Sequence, residues 1–99
     1  MGYNSDRYNV FYSPIEFRCG FAVVLMAEDL IVVGGTSNDV PLNTVTKLNV
    51  HAMVSSALAP LITSRTNHVL AVLNGALYAI GGYNGHHILN SVERWDPVI

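Results

Sequence analysis

Residues 74–97 read NGALYAIGGYNGHHILNSVERWDP, and the order of their parts decides the fold. Asn74 and Gly75 form a turn dipeptide. They feed a short apolar run, Leu77, Tyr78, Ala79 and Ile80, whose side chains suit a pleated surface, and the run stops at the adjacent Gly81 and Gly82. After a polar loop, a second alternating run carries Arg94 and Trp95 and ends at Asp96 and Pro97.

The stretch has a counterpart upstream. A shift of 47 positions lays Leu30 on Leu77, Gly34 and Gly35 on Gly81 and Gly82, Leu42 and Asn43 on Leu89 and Asn90, Val45 on Val92 and Arg18 on Arg65. Near matches fill the gaps: Val33 with Ile80, Thr44 with Ser91, Lys47 with Arg94 and Asn49 with Asp96. Self-similarity at a fixed spacing is the sign of a repeat architecture, and about 40–50 residues is the range of four-stranded propeller blades. The glycine doublet after an apolar strand, the loop, and the strand with an aromatic just before an Asp and an Arg upstream resemble a kelch repeat. The resemblance covers most of the chain, from Tyr8 to Pro97, and implies an all-β fold: two four-stranded antiparallel blades of a kelch-type β-propeller, an incomplete ring.

Composition agrees with a folded chain. Of 99 residues, 51% are hydrophobic and only 12% charged, which argues for a core and against disorder. The formal net charge of −2 gives no basic stripe to neutralise phosphates, so nucleic acid is not an expected partner. The apolar runs at residues 21–27 and 69–73 are too short to span a bilayer, and residues 1–6 have no basic-then-apolar signal order, so no membrane partner is expected. Cys19 is the only cysteine and excludes an internal disulfide. The expectation is a chain of the reducing interior of the cell, cytoplasmic or nuclear.

In chain order, residues 1–17 hold one short aromatic-rich strand with Tyr8, Val10, Phe11 and Tyr12, then a loop through Ile15, Glu16 and Phe17. Tyr8 lies ten residues before Arg18, where the resembled family has the Trp of the outermost strand of the preceding blade. Residues 18–64 form the first repeat: an inner strand at 21–26, a turn at Glu28 and Asp29, a strand at 30–33, a loop at 36–41, a strand at 42–50 and an outer strand at 54–58. A near-continuous apolar run such as 21–26 suits an inner strand covered on both faces. This repeat is degenerate, with Ser55 where the outer Trp is expected and Leu48 in place of an aromatic; residues 53–58 could also be read as a helical turn. Residues 65–99 form the second repeat, with strands at 68–73, 77–80 and 89–96 and no outer strand.

Such bookkeeping makes two blades' worth of strands, too few to close a ring. Either the sequence belongs to a longer propeller whose remaining blades lie elsewhere in the chain, or copies associate. In the second case the strand around Tyr8 of one copy completes the second repeat of the next, and roughly three copies make a six-bladed ring.

Gly34, Gly35, Gly81 and Gly82 read as structural, ending strands where a Cβ would clash. No Lys stands near them at phosphate-loop spacing. Trp95 and Tyr78 read as blade-to-blade packing, with the indole N–H seeking a carbonyl. Arg18 and Arg65 stand before the inner strands, a position from which, the resemblance implies, an arginine meets acidic groups of a bound protein; an ordinary structural arginine is the alternative. The loops after the doublets carry Asn38 in the first repeat and Tyr83, Asn84 and His86 in the second, with Tyr83 as the aromatic anchor of a partner-binding surface. His86 and His87 are adjacent, point apart in an extended loop and have no carboxylate or Cys cluster at ligand spacing, so no metal is expected. His68 reads as a satisfied structural histidine and Cys19 as a small buried residue.

No nucleophile elbow, triad or paired-carboxylate signature is present, so no catalytic residue and no cofactor are expected. The resemblance implies a protein-interaction module. Larger kelch proteins join such propellers to a dimerisation domain that recruits a cullin-type ubiquitin ligase, and others bind actin. Galactose-oxidase-like enzymes also use kelch-type blades, but their copper site needs ligands converging from several blades, which two repeats with one Cys do not supply.

Overall fold

A computed structural model describes residues 18–97. The strand expected around Tyr8 and the loop through Ile15, Glu16 and Phe17 lie outside the described residues. Every regular element among the described residues is a strand: β1 (Ala22–Met26), β2 (Asp29–Val33), β3 (Thr36–Ser37), β4 (Val40–Pro41), β5 (Val45–Asn49), β6 (Val54–Leu58), β7 (Val69–Leu73), β8 (Ala76–Ile80) and β9 (Val92–Trp95). Strands β1, β2, β5 and β6 form one antiparallel sheet in that order, β7, β8 and β9 a second, and β3 pairs with β4 in a small hairpin inside the expected loop 36–41.

Turn chemistry sets the registers. Leu73 pairs with Ala76, leaving Asn74 and Gly75 as a two-residue loop with φ of 52° and 78°, the conformation that Asn-Gly favours in a hairpin. In the first sheet Met26 pairs with Asp29, so the turn is Ala27 and Glu28, one residue earlier than expected, and Asp29 opens β2. Ala27 takes φ 56°, a strained value for a residue with a Cβ. The segment 54–58 is a strand, paired with β5 from Val45–Leu58 to Asn49–Val54, not a helical turn. The Asn49 side-chain oxygen accepts from the amides of His51 and Ala52 and turns the chain between β5 and β6.

Strand β5 is shorter than expected because the backbone before it has other partners. The Leu42 carbonyl accepts from Arg65 N–H at 2.9 Å, and the Asn43 carbonyl accepts from Leu61 N–H at 2.8 Å. These bonds tie the linker between the sheets to the first sheet instead of extending a ladder.

The core lies between the two sheets. Ile31, Val33, Val45 and Leu61 pack with Leu77, Ala79 and Trp95, and Val24, Met26, Leu58 and Leu70 close the cluster. Burial of this cluster, at roughly 25 cal/mol per Å² of apolar surface, is the main force holding one sheet on the other. Trp95 also donates its indole N–H to the Ala59 carbonyl at 2.8 Å, as its sequence position suggested. Strand β1 is covered on one face only: Val24 and Met26 face the core, while Phe21, Val23 and Leu25 are exposed on the other side. Of the two residues expected to pack blade to blade, Trp95 lies in the core between the sheets and Tyr78 does not. Alternation along β8 puts Leu77 and Ala79 in the core and Tyr78 on the outer face, opposite Ala71 and Arg94.

Candidate functional site

Both glycine doublets are followed by the same construction. In the first repeat Cys19 and Thr36 exchange backbone hydrogen bonds of 3.1 and 2.7 Å, and Leu42 N–H returns to the Gly35 carbonyl at 2.8 Å. In the second, Thr66 and Tyr83 exchange bonds of 3.0 Å each, and Leu89 N–H returns to the Gly82 carbonyl at 2.7 Å. Each loop is thus pinned at both ends, and its tip is left to present side chains.

Within the first loop, Asn38 and Asp39 form the tip with φ of 51° and 65°, a conformation short polar side chains tolerate, and both are exposed beside Val40. Within the second, the Asn84 side-chain oxygen accepts from the amides of His86 and His87, each at 2.8 Å, and the tip bends around Gly85. The loops adjoin: a Cβ on Gly85 would lie 3.4 Å from the Pro41 ring. One surface therefore combines Asn38, Asp39 and Val40 with Tyr83, His86 and Ile88. Tyr83 and His86 are exposed, Asn84 is half-buried in its turn-forming role, and Ile88 is 88% exposed. Ile88 and Val40 escape the sequence reading, which places both inside the loops without singling them out; the signal is an apolar residue set among turn formers.

The two arginines do not join this surface in the manner expected. Arg65 is 1% exposed. Its guanidinium donates to the carbonyls of Gly81 (2.9 Å) and Ser91 (3.0 Å) and to the Ser91 hydroxyl (2.8 Å), and its Nε stands 3.8 Å from Glu93. Arg65 as a partner contact is therefore corrected to an internal clamp, because its donors are already directed at the end of β8 and the start of β9. Arg18 repeats the pattern while half-buried, donating to the Gly34 carbonyl (3.0 Å) and to the hydroxyls of Thr44 (2.8 Å) and Thr46 (3.2 Å). Each arginine staples the glycine-terminated strand of its own sheet to the next strand. A five-donor planar group is suited to that task, since it meets several acceptors at once.

Glu93, opposite Thr46 in the repeat, does further work. Its carboxylate accepts from the amides of Ile62 and Thr63, fastening the linker to β9 beside Arg65.

His68 sits in the seam with its imidazole against Gly34: a Cβ there would clash with the Arg65 carbonyl and lie 2.8 Å from the His68 ring. Gly82 borders the same residue from the other side, where a Cβ would lie 2.9 Å from the His68 Cβ. That is what the two doublets provide, room for backbone and ring to approach. His68 is buried, and neither ring nitrogen makes a hydrogen bond of good geometry among the described residues, so the expected satisfied histidine is corrected to one left with only a weak interaction with the Val33 backbone. Burial first, then the charge of Arg65, hold its pKa below the ordinary histidine value, and the Val33 backbone opposes them less strongly. Cys19, expected to be buried, is exposed. Among the described residues no group of three or more His, Cys, Asp or Glu could hold a metal ion.

Residues 64–99 match the Kelch motif. The chain is 33% identical over 91 residues to Kelch repeat and BTB domain-containing protein 2 of Ectromelia virus (strain Moscow), an alignment covering 91% of this chain and 16% of that protein. It is 36% identical over 84 residues to human Kelch-like protein 35, covering 85% of this chain and 14% of the relative. It is 41% identical over 75 residues to human Influenza virus NS1A-binding protein, covering 75% and 12%. The chain thus spans about a sixth or less of the length of these curated relatives.

Proposed function

We propose, from the premise that this chain is a segment of the kelch-repeat family, that it presents the paired loops after its glycine doublets to a protein partner and is not itself an enzyme. The observation that carries this reading is the adjoining pair of pinned loops, whose backbone is committed to the sheets while Val40, Tyr83 and Ile88 stand exposed among polar neighbours. An aromatic and an aliphatic anchor inside a polar rim is the composition of a protein-recognition surface. The finer reading is that the segment forms part of the substrate-choosing propeller of a cullin-type ubiquitin ligase adaptor. The BTB domain in the name of the Ectromelia virus relative supports this, since it pairs such repeats with a second, non-kelch module.

The test places a photo-crosslinking residue at Tyr83 or Ile88, or at the strand positions Lys47 and Ser56, in the protein that carries this chain. Adducts at the loop positions, lost in Tyr83→Ala with Ile88→Asp, are expected. Adducts of equal yield at the strand positions would overturn the loop reading, and loop adducts without co-purifying cullin would remove the adaptor reading alone.

A further inference from the structure

Two Asn-Gly dipeptides occur in the chain, Asn74 with Gly75 and Asn84 with Gly85. Such a pair carries chemistry of its own. A glycine nitrogen, with no Cβ beside it, can reach the carbonyl carbon of the preceding Asn side chain and close a five-membered imide. The fold puts the two pairs in different settings, and the settings differ at the side-chain oxygen on which charge develops during that closure.

Asn74 and Gly75 are the two-residue loop of the β7–β8 hairpin, at φ of 52° and 78°, closed by the Leu73–Ala76 pair. The Asn74 side chain makes no hydrogen bond among the described residues. Ring closure fixes the torsion between Asn and Gly, so here it pulls the turn out of its left-handed form and works against a ladder whose next residues, Ala76 and Leu77, are buried.

Asn84 and Gly85 lie outside any strand, inside the bonds that pin the second loop at Thr66–Tyr83 and at Leu89–Gly82, so a change of torsion is confined to the tip. The Asn84 side-chain oxygen already accepts from the amides of His86 and His87, each at 2.8 Å. As the Gly85 nitrogen bonds to Asn84 Cγ, that oxygen takes up negative charge, and donors aimed at it in advance stabilise the charge without reorganising. Gly85 N–H makes no hydrogen bond among the described residues, so the attacking nitrogen is not held elsewhere. Gly85 stands at φ 102°, which a residue with a Cβ rarely adopts, so the loop that presents Tyr83 and Ile88 requires the same glycine that permits the reaction.

We propose that Asn84 is a site of spontaneous deamidation, assisted by the two amides that hold its side-chain oxygen. The Gly85 nitrogen forms a bond to Asn84 Cγ, the bond from Cγ to the side-chain nitrogen breaks, and ammonia leaves with the proton that Gly85 gives up through solvent. Water then opens the imide at one of its two carbonyls and leaves an aspartyl or an isoaspartyl residue at position 84; nothing is oxidised or reduced. Either product adds a negative charge to the surface that holds Asp39 and His86. The isoaspartyl product also routes the main chain through Cγ, so the oxygen that shaped the tip becomes a main-chain oxygen and the bend around Gly85 has to re-form. The inference does not depend on whether the loops bind a partner.

The test incubates the protein that carries this chain at neutral pH, folded and in urea, and follows both dipeptides in the same sample by peptide mass mapping, with isoaspartate detected by enzymatic methylation of its free carboxylate. Asn74 is the internal control. Hydrogen bonds that strengthen as charge develops should make Asn84 lose ammonia at least ~10-fold faster than Asn74 in the folded protein. In urea the two sites should converge, because the oriented donors are gone and the dipeptide is the same. His87→Pro removes one donor while the pinning bonds of the loop remain, and it should slow the reaction at Asn84 by roughly 3-fold or more. Equal rates in the folded protein, a faster reaction at Asn74, a preference for Asn84 that persists unchanged in urea, or a folded His87→Pro variant that keeps the full rate would each overturn the proposal. Should His87→Pro disturb the β spectrum, the comparison of the two sites in folded and unfolded wild type decides alone.

Discussion

Acidification should loosen the seam between the two sheets through His68. The imidazole is buried against Gly34 and Gly82, the charged group beside it is Arg65, and the Val33 backbone only weakly favours the protonated ring. Its pKa in the folded chain is lowered from 6.5. In the window from 6.5 down to that lowered value, the unfolded chain binds the proton and the folded chain does not. Stability is therefore fully present above 6.5 and falls as pH falls through the window, with a limiting slope of one proton, about 1.4 kcal/mol per pH unit. Other groups titrate too, so the decisive comparison is with His68→Phe, which installs the residue that the repeat has at Phe21. Phe removes two unpaired buried nitrogens, a relief of about 1–3 kcal/mol, and brings a larger ring under the glycines, where overpacking costs about 1–3 kcal/mol. The two effects nearly cancel near pH 8, so the variant should match the wild type there and exceed it near pH 5. Urea midpoints at a series of pH values, with the two-state slope checked at each, measure the difference. Parallel pH profiles for the two proteins, or a wild type that gains on His68→Phe as pH falls, would refute the argument.

Arg65→Met should destabilise the second sheet by about 3–5 kcal/mol in urea melts, since it strips donors from the Gly81 and Ser91 carbonyls and leaves Glu93 without its cation; Arg65→Lys should restore only a part of this. The half-buried Arg18→Met should cost less, about 1–2 kcal/mol. Ala27→Gly should stabilise by about 0.5–1 kcal/mol and raise the thermal midpoint by about 2–6 °C, because relief of strain at φ 56° exceeds the extra chain entropy that Gly loses on folding.

The strands and their order were legible because the repeat fixed them twice. Turn residues at Asn74 and Gly75, the doublets, and alternation in β9 each pointed to the same ladder, and the degenerate β6 followed from the period although its own residues are ambiguous. What escaped was whatever depends on a neighbour. The one-residue shift of the first turn rests on the Met26–Asp29 pair, which forces Ala27 into a conformation its side chain disfavours. The roles of Leu42 and Asn43 rest on bonds to a linker some twenty residues on, invisible to local pattern. Arg65 looks like any surface arginine until Gly81, Ser91 and Glu93 are seen to converge on it.

That convergence also separates scaffold from recognition within each repeat. Positions with identical residues in both repeats, Arg18 and Arg65, Gly34 and Gly81, Gly35 and Gly82, Leu42 and Leu89, make the same kinds of bond in both sheets. Between the doublet and the returning leucine the repeats diverge: Ser37, Asn38, Asp39 and Val40 stand opposite Asn84, Gly85, His86 and His87. Yet the backbone converges there, with Asn38 and Gly85 both at positive φ, so the loop shape is held while its chemistry changes. A scaffold that fixes the ends of a loop by main-chain bonds leaves its tip free to vary without altering the sheets. Exchange of residues 37–40 for the sequence of 84–87 should therefore leave the urea midpoint within about 1 kcal/mol of the wild type while changing what the surface binds. A large loss of stability on that exchange would mean that the tips, too, belong to the scaffold.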